Sequence, residues 1–145
     1  MPLTQNLMNT FAERTEELLE ELGFFQDWTD RYEYVIGLGK KMEILPEEKC
    51  TEDNLIKGCQ SHVWLDSYQD GDKIYYLADS DSLITKGMIA MFIRVLSGLT
   101  ADEILTADFD FIDKTGLKEH LAPSRANALS LMATQMKQRA LNSSS

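Results

Sequence analysis

The sequence predicts an α+β domain, and three observations carry that reading. Apolar residues recur at helical spacing in the first third of the chain and again in the last third. Between them lie two short runs with a period of two, and the pair Asp70-Gly71 separates those runs where a hairpin turn belongs. Helices, a small antiparallel sheet, then helices again describe a sheet packed against helices.

The first helix is expected from about Thr4 to Leu22. Met8, Phe11, Leu18, Leu19 and Leu22 fall near one face, while Glu13, Glu16, Glu17, Glu20 and Glu21 keep the remainder in water, and Gly23 supplies a stop. A second helix is expected to open at Asp27. It carries Trp28, Tyr32, Val35 and Leu38 at helical spacing and ends near Gly37 to Gly39, ahead of Pro46. On this reading the glycines of "GLGKK" are helix terminators. That run lacks the GxxxxGK[ST] spacing of a phosphate loop and follows no strand.

The strands are expected in "SHVWLDSYQ" and "KIYYLAD". With Asp70 and Gly71 at the centre of the turn, Ser67 faces Ile74, Leu65 faces Tyr76 and Val63 faces Ala78 on the more apolar side. Carrying the odd-numbered parity back through Ser61 turns Cys59 toward the same side. In "ADSDSLITKGMIAMFIRVLSG", Ser80 or Asp81 can cap a helix. Its stripes, Ile84, Met88, Met91 and Val95 beside Ile89, Phe92 and Leu96, cover so much of its girth that it belongs in the centre. Gly98 ends it, "TADE" at 100–103 is a capping box for a short helix, and a last helix starts at Ser124 with Leu129, Met132, Met136 and Ala140 inward. One domain over residues 1–141 and a disordered tail at 142–145 follow.

Composition narrows the function. The 145 residues are 43% hydrophobic and 26% charged, which is ordinary for a globular chain. Lys and Arg number 14 against 24 Asp and Glu, a formal charge of −10 that repels nucleic acid and anionic membranes. No run approaches the roughly 18 apolar residues of a membrane span, and the N-terminus lacks the pattern of a signal peptide. A cytoplasmic location follows, and there Cys50 and Cys59 are expected as free thiols.

Cys59 is the residue with chemistry to explain. It follows Gly58, which permits unusual backbone angles, and Lys57 and His62 lie close enough to favour a thiolate. Four readings stay open on these residues: a buried packing cysteine; a metal ligand with His62, Cys50 and His120; a hydrolytic nucleophile with His120 or His62 as base; or a handle for sulfur.

Four blocks in one order bear on the choice. "WTDRYEYVIGLGKK" (28–41), "GCQSHVWL" (58–65), "ADSDSLITKGM" (78–88) and "GLKEHLAPSR" (116–125) resemble the SufE family of sulfur acceptors. The resemblance implies a fold shared with IscU-type scaffold proteins. It also implies a function: docking on a cysteine desulfurase of the SufS or CsdA kind, accepting its persulfide sulfur, stimulating its turnover and passing sulfur to an iron–sulfur scaffold complex. The desulfurase carries pyridoxal phosphate, and this chain needs no cofactor or metal of its own. Monomer or weak homodimer is the expected state.

Residue by residue, the resemblance makes Cys59 the acceptor, with Gly58, Gln60, Ser61 and Trp64 around it. Asp79, Ser80, Asp81, Lys86, Gly87 and Arg125 match the supporting blocks. Lys86 and Arg125 either position the loop and stabilise thiolate charge or form structural pairs with Asp79 or Asp81. Three residues depart from the family pattern: His62, Thr85 where a valine is usual, and Ala128 where a glycine is usual. The needs of a reactive thiolate and a sheltered persulfide conflict, because burial raises a thiol's pKa. A movable loop hinged at Gly58 would reconcile them. The alternatives are a desulfurase-binding regulator that carries no sulfur and a metal-binding scaffold.

Overall fold

The computed structural model describes residues 10–144 except Gln60. Helix α1 (Phe11–Gly23) opens on a capping box: Thr10 Oγ1 accepts from Glu13 N at 3.2 Å, and Glu13 Oε1 accepts from Thr10 N at 3.0 Å. The helix buries Leu18 and Leu22 as expected. The expected start at Thr4, and Met8 with it, lie outside the described residues.

Helix α2 (Trp28–Lys41) is capped by Asp27, whose Oδ1 accepts from Thr29 N at 3.0 Å. It does not end at its glycines. A Cβ built on Gly39 would stand 2.8 Å from Gly87 N, and one on Gly87 would stand 2.3 Å from Val35 O. The expectation of a terminator is therefore corrected. Gly39 and Gly87 let helix α3 (Leu83–Leu96) lie backbone to backbone on α2.

Two short 3-10 turns, Glu47–Lys49 and Glu52–Asn54, lead to the sheet. Strands β1 (Val63–Asp70) and β2 (Lys73–Ser80) pair antiparallel with Val63 opposite Ser80, Leu65 opposite Ala78 and Asp70 opposite Lys73. The central turn residues are thus Gly71 and Asp72, one position later than predicted. Only Gly71 has positive φ, +64°, as the first position of a II′ hairpin turn requires. Each predicted pair moves by two residues, which preserves its face. Val63, Leu65, Ile74, Tyr76 and Ala78 all lie in the core. A third strand, β3 (Leu99–Thr100), joins β2 to give the order β1-β2-β3.

Helix α3 runs through the middle, against α1, α2, β2 and the last helix. Met88, Ile89, Met91, Phe92, Val95 and Leu96 are all buried, and its cap is Ser82 rather than Ser80 or Asp81. The predicted capping box opens α4 (Ala101–Leu105), with Thr100 and Glu103 exchanging hydrogen bonds. Helices α5 (Asp110–Thr115) and α6 (Leu117–His120) then precede α7 (Pro123–Ser144), which buries Leu129, Met132, Met136 and Ala140. Helix α7 extends past position 141. The Tyr76 hydroxyl donates to Met136 O at 2.7 Å and ties sheet to helix, and burial pushes its pKa up. Among the described residues, no helix is long and apolar enough to cross a membrane.

Candidate functional site

The segment that enters β1 forms a loop closed at its neck. Ile56 N donates to Val63 O at 2.8 Å, and Leu55 bridges Trp64. Lys57, Gly58, Cys59, Ser61 and His62 fall between these ties in sequence. Gly58 lies among them at φ +96°, a conformation that disfavours a side chain. A Cβ there would meet Leu131 Cδ1 at 3.1 Å. Gly58 is thus placed where the sequence asked for conformational freedom. Gln60 lies outside the described residues.

Cys59 precedes the strand rather than continuing it, yet its side chain is half-buried and packs on the edge of the core. It faces a cavity of about 40 Å³ lined by Ser61, Thr85, Ser124, Arg125 and Ala128. That space holds a group the size of one water molecule. The walls come from the loop, the first turn of α3 and the first two turns of α7, so sequence segments far apart converge on one thiol. Thr85 and Ala128, two of the three departures from the family pattern, are both wall residues.

Burial pushes the Cys59 thiol above its ordinary pKa. The neighbours that would favour a thiolate are engaged elsewhere. Lys57 Nζ lies 3.3 Å from Glu52 Oε1, and His62 Nδ1 lies 2.9 Å from Asp81 Oδ2. The resting site therefore favours the protonated thiol.

The other expected site residues divide into two groups. Lys86 pairs with Asp79 at 3.3 Å, both side chains largely buried, and Asp79 lies opposite Trp64 in the β1–β2 ladder. Arg125 behaves differently: it is exposed, borders the cavity and has no ion-pair partner among the described residues. Trp64 stacks flat on His62, with centroids 5.6 Å apart. Ser61 lines the cavity, and Gly87 serves the α2–α3 contact. Sequence reasoning missed Ser124 as a wall residue. Its only signal was its place inside the block 116–125.

Among the described residues neither His62 nor His120 hydrogen-bonds the Cys59 thiol; their Nδ1 atoms meet Asp81 and Gly116 instead. His120 stacks on Trp28 at 3.7 Å, and its Nδ1 faces Gly116 O. Cys50 lies half-buried with its Sγ toward Leu45 O. Among the described residues, no three His, Cys, Asp or Glu side chains gather as a metal site. The two cysteines are free thiols.

Fold and site define a small α+β domain that presents one sheltered cysteine on a tied loop. Residues 16–140 match the SufE family, described as an Fe-S metabolism associated domain, and the chain belongs to that family. An uncharacterized SufE-like protein of Rhizobium meliloti is 37% identical over 130 residues, 86% of this chain and 93% of its own. The cysteine desulfuration protein SufE of Wigglesworthia glossinidia brevipalpis is 35% identical over 135 residues, 92% of this chain and 93% of its own. The fold matches the solution structure of a hypothetical protein from Thermus thermophilus. The TM-score is 0.74 at 16% identity, covering 89% of this chain and 94% of that one. The family supports a role in iron–sulfur metabolism.

Proposed function

We propose that this protein is a sulfur acceptor that docks on a cysteine desulfurase of the SufS or CsdA kind and receives persulfide sulfur on Cys59. The observation that carries the reading is a half-buried thiol beside a cavity of about 40 Å³, on a loop tied at its neck, in a SufE-family chain. The cavity suits one added atom and shelters it from small thiols.

The transfer balances without an external oxidant. Cys59 loses its proton and attacks the outer sulfur of the partner's persulfide; a new S–S bond forms and the partner's own S–S bond breaks. The partner's cysteine leaves as a thiolate, which takes up a proton, and Cys59 carries the persulfide. The protein is a carrier and an activator of its partner rather than a free-standing enzyme, and it acts in the cytoplasm. Its recipient is an iron–sulfur scaffold complex.

Docking supplies what the resting thiol lacks. Moving Cys59 out of its cavity removes the burial that raises its pKa, so exposure and activation become one event. Arg125, uncompensated at the cavity edge, is the side chain placed to steady the developing charge. The charge of −10 suits a basic docking patch and a salt-dependent association rate.

Desulfurase turnover tests the reading. Wild type and Cys50→Ser are expected to raise alanine release from cysteine, while Cys59→Ser is not. Full stimulation by Cys59→Ser would instead identify a regulator that carries no sulfur.

A further inference from the structure

Phe24, at the C-terminal end of α1, is 82% exposed, more than any other large apolar side chain among the described residues. Its ring meets that of Phe25 at 83°, with centroids 5.6 Å apart, and Phe25 lies 5.3 Å from the ring of Tyr34. Together with Glu20 and Glu21, these three rings line an open, largely apolar groove of about 380 Å³. Single apolar side chains on a surface are ordinary, but three rings around one groove mark a contact surface.

The charges around the groove select what fits it. Arg94 is fully engaged: its guanidinium donates to both carboxylate oxygens of Glu21, to Glu17 and to the Tyr34 hydroxyl. Those bonds set Tyr34 and Glu21 as walls, and hydrogen bonds from Arg94, with a smaller push from Lys41, hold the Glu21 carboxyl below its ordinary pKa. Glu20 is exposed and has no ion-pair partner among the described residues. Elsewhere the chain covers aromatic faces with its own cations. The Arg31 guanidinium stands 4.8 Å from the Trp28 centroid, and Lys137 Nζ stands 4.7 Å from that of Phe109. Among the described residues, no cation stands over Phe24, Phe25 or Tyr34. Ring faces beside a free carboxylate suit a guanidinium, which stacks on the one and hydrogen-bonds the other. A second copy of this chain would bring its own charge of −10 and be repelled, as would an anionic membrane.

We propose that Phe24, Phe25, Tyr34 and Glu20 form a docking site for an arginine side chain, presented with apolar neighbours by a protein partner that binds without covering Cys59. The separation from the thiol follows from α3. Thr85 in its first turn lines the thiol cavity, and Arg94 in its last turn holds the groove. They are nine positions apart, about 14 Å along the helix axis. The groove and the cavity share no wall residue. The site goes beyond the sulfur-acceptor reading and does not depend on it.

The test uses the full-length protein and a blocked tripeptide, acetyl-leucyl-arginyl-leucine amide, read by the NMR shifts of aromatic ring signals. Titration is expected to move the Phe24, Phe25 and Tyr34 signals together, with a dissociation constant on the order of 1 mM. The same peptide with citrulline, a neutral isostere of arginine, is expected to bind about fivefold more weakly. Phe24→Leu keeps an apolar side chain but removes the ring face, and the same loss of about fivefold is expected. Because Phe24 is exposed, that variant should keep the parental denaturation midpoint. Glu20→Gln should weaken binding about twofold and reduce its salt dependence. Cys59 is labelled with iodoacetamide in a Cys50→Ser background and followed by intact mass; its rate is expected to be the same with and without saturating peptide. Unmoved ring signals would overturn the site. Undiminished binding of the citrulline peptide, or by Phe24→Leu, would overturn the arginine assignment. Peptide that slows Cys59 labelling would overturn the separation from the thiol.

Discussion

Two glycines, Gly87 and Gly58, mark the two kinds of region in this molecule. At Gly87 the backbones of α2 and α3 touch, and a Cβ would stand 2.3 Å from the Val35 carbonyl oxygen. No side chain there can move aside, because the obstacle is main chain. At Gly58 the nearest obstacle is the flexible end of Leu131 at 3.1 Å, and the constraint is instead the backbone angle, φ +96°. One glycine serves close approach and the other serves conformation. The first region joins two helices through their main chains, and the second bends the chain beside the thiol.

Gly87→Ala is the largest expected effect. The clash with backbone should cost about 3 kcal/mol or prevent folding, read by denaturant unfolding. A loss under about 0.5 kcal/mol would show that the helices part easily and would blur the contrast. Next comes Lys86→Met, which strands Asp79 in a largely buried setting. A loss of about 2 kcal/mol is expected, with Cys59 labelling little changed; a large labelling change would move Lys86 from the scaffold to the loop.

Gly58→Ala should cost about 1 to 2 kcal/mol through the left-handed backbone and alter Cys59 labelling more than any scaffold variant of equal cost. Tyr76→Phe gives the scaffold control. Loss of its hydrogen bond to Met136 O should cost about 1 kcal/mol and leave the thiol untouched.

The smallest effect is a titration. Because burial raises the Cys59 pKa, its labelling rate should still be climbing with pH where an ordinary thiol has levelled off. The sign for stability follows. The unfolded thiol ionises first, so this group's contribution is complete below the ordinary thiol pKa and is lost as pH rises through the folded value. A plateau at the ordinary value would mean that the thiol is not sheltered.

Much of the scaffold was legible because its signals are local. The capping boxes at Thr10 and Thr100, the cap at Asp27 and the stripes of α3 and α7 are each written within a few residues. Thr10 itself emerged only with the structure. The turn at Gly71-Asp72 was misplaced by one residue because Asp-Gly and Gly-Asp are both acceptable turn pairs. The face survived because parity did. The role of Gly39 was not legible, since a glycine near the end of a helix reads as a stop until its neighbour Gly87 is known. Strand β3 is two residues long, too short to have a period.

The site was legible in part. Cys59 and Gly58 were found from their own neighbourhood and from the family blocks. Of its walls, Ser61 and Arg125 were named from the family blocks, but Thr85, Ser124 and Ala128 were not placed beside the thiol, because they come from helices distant in sequence. The supposed help from Lys57 and His62 reversed once their carboxylate partners appeared. Proximity in sequence suggested a charge effect on the thiol that three-dimensional pairing directs elsewhere.

The most direct measurement is intact mass after incubation with a working cysteine desulfurase and free cysteine, with a peptide map to locate the change. The account predicts a gain of one sulfur atom or more on Cys59, reversed by a reducing thiol, retained in Cys50→Ser and absent in Cys59→Ser. An unchanged mass with an active desulfurase, or sulfur found on Cys50 instead, would contradict it.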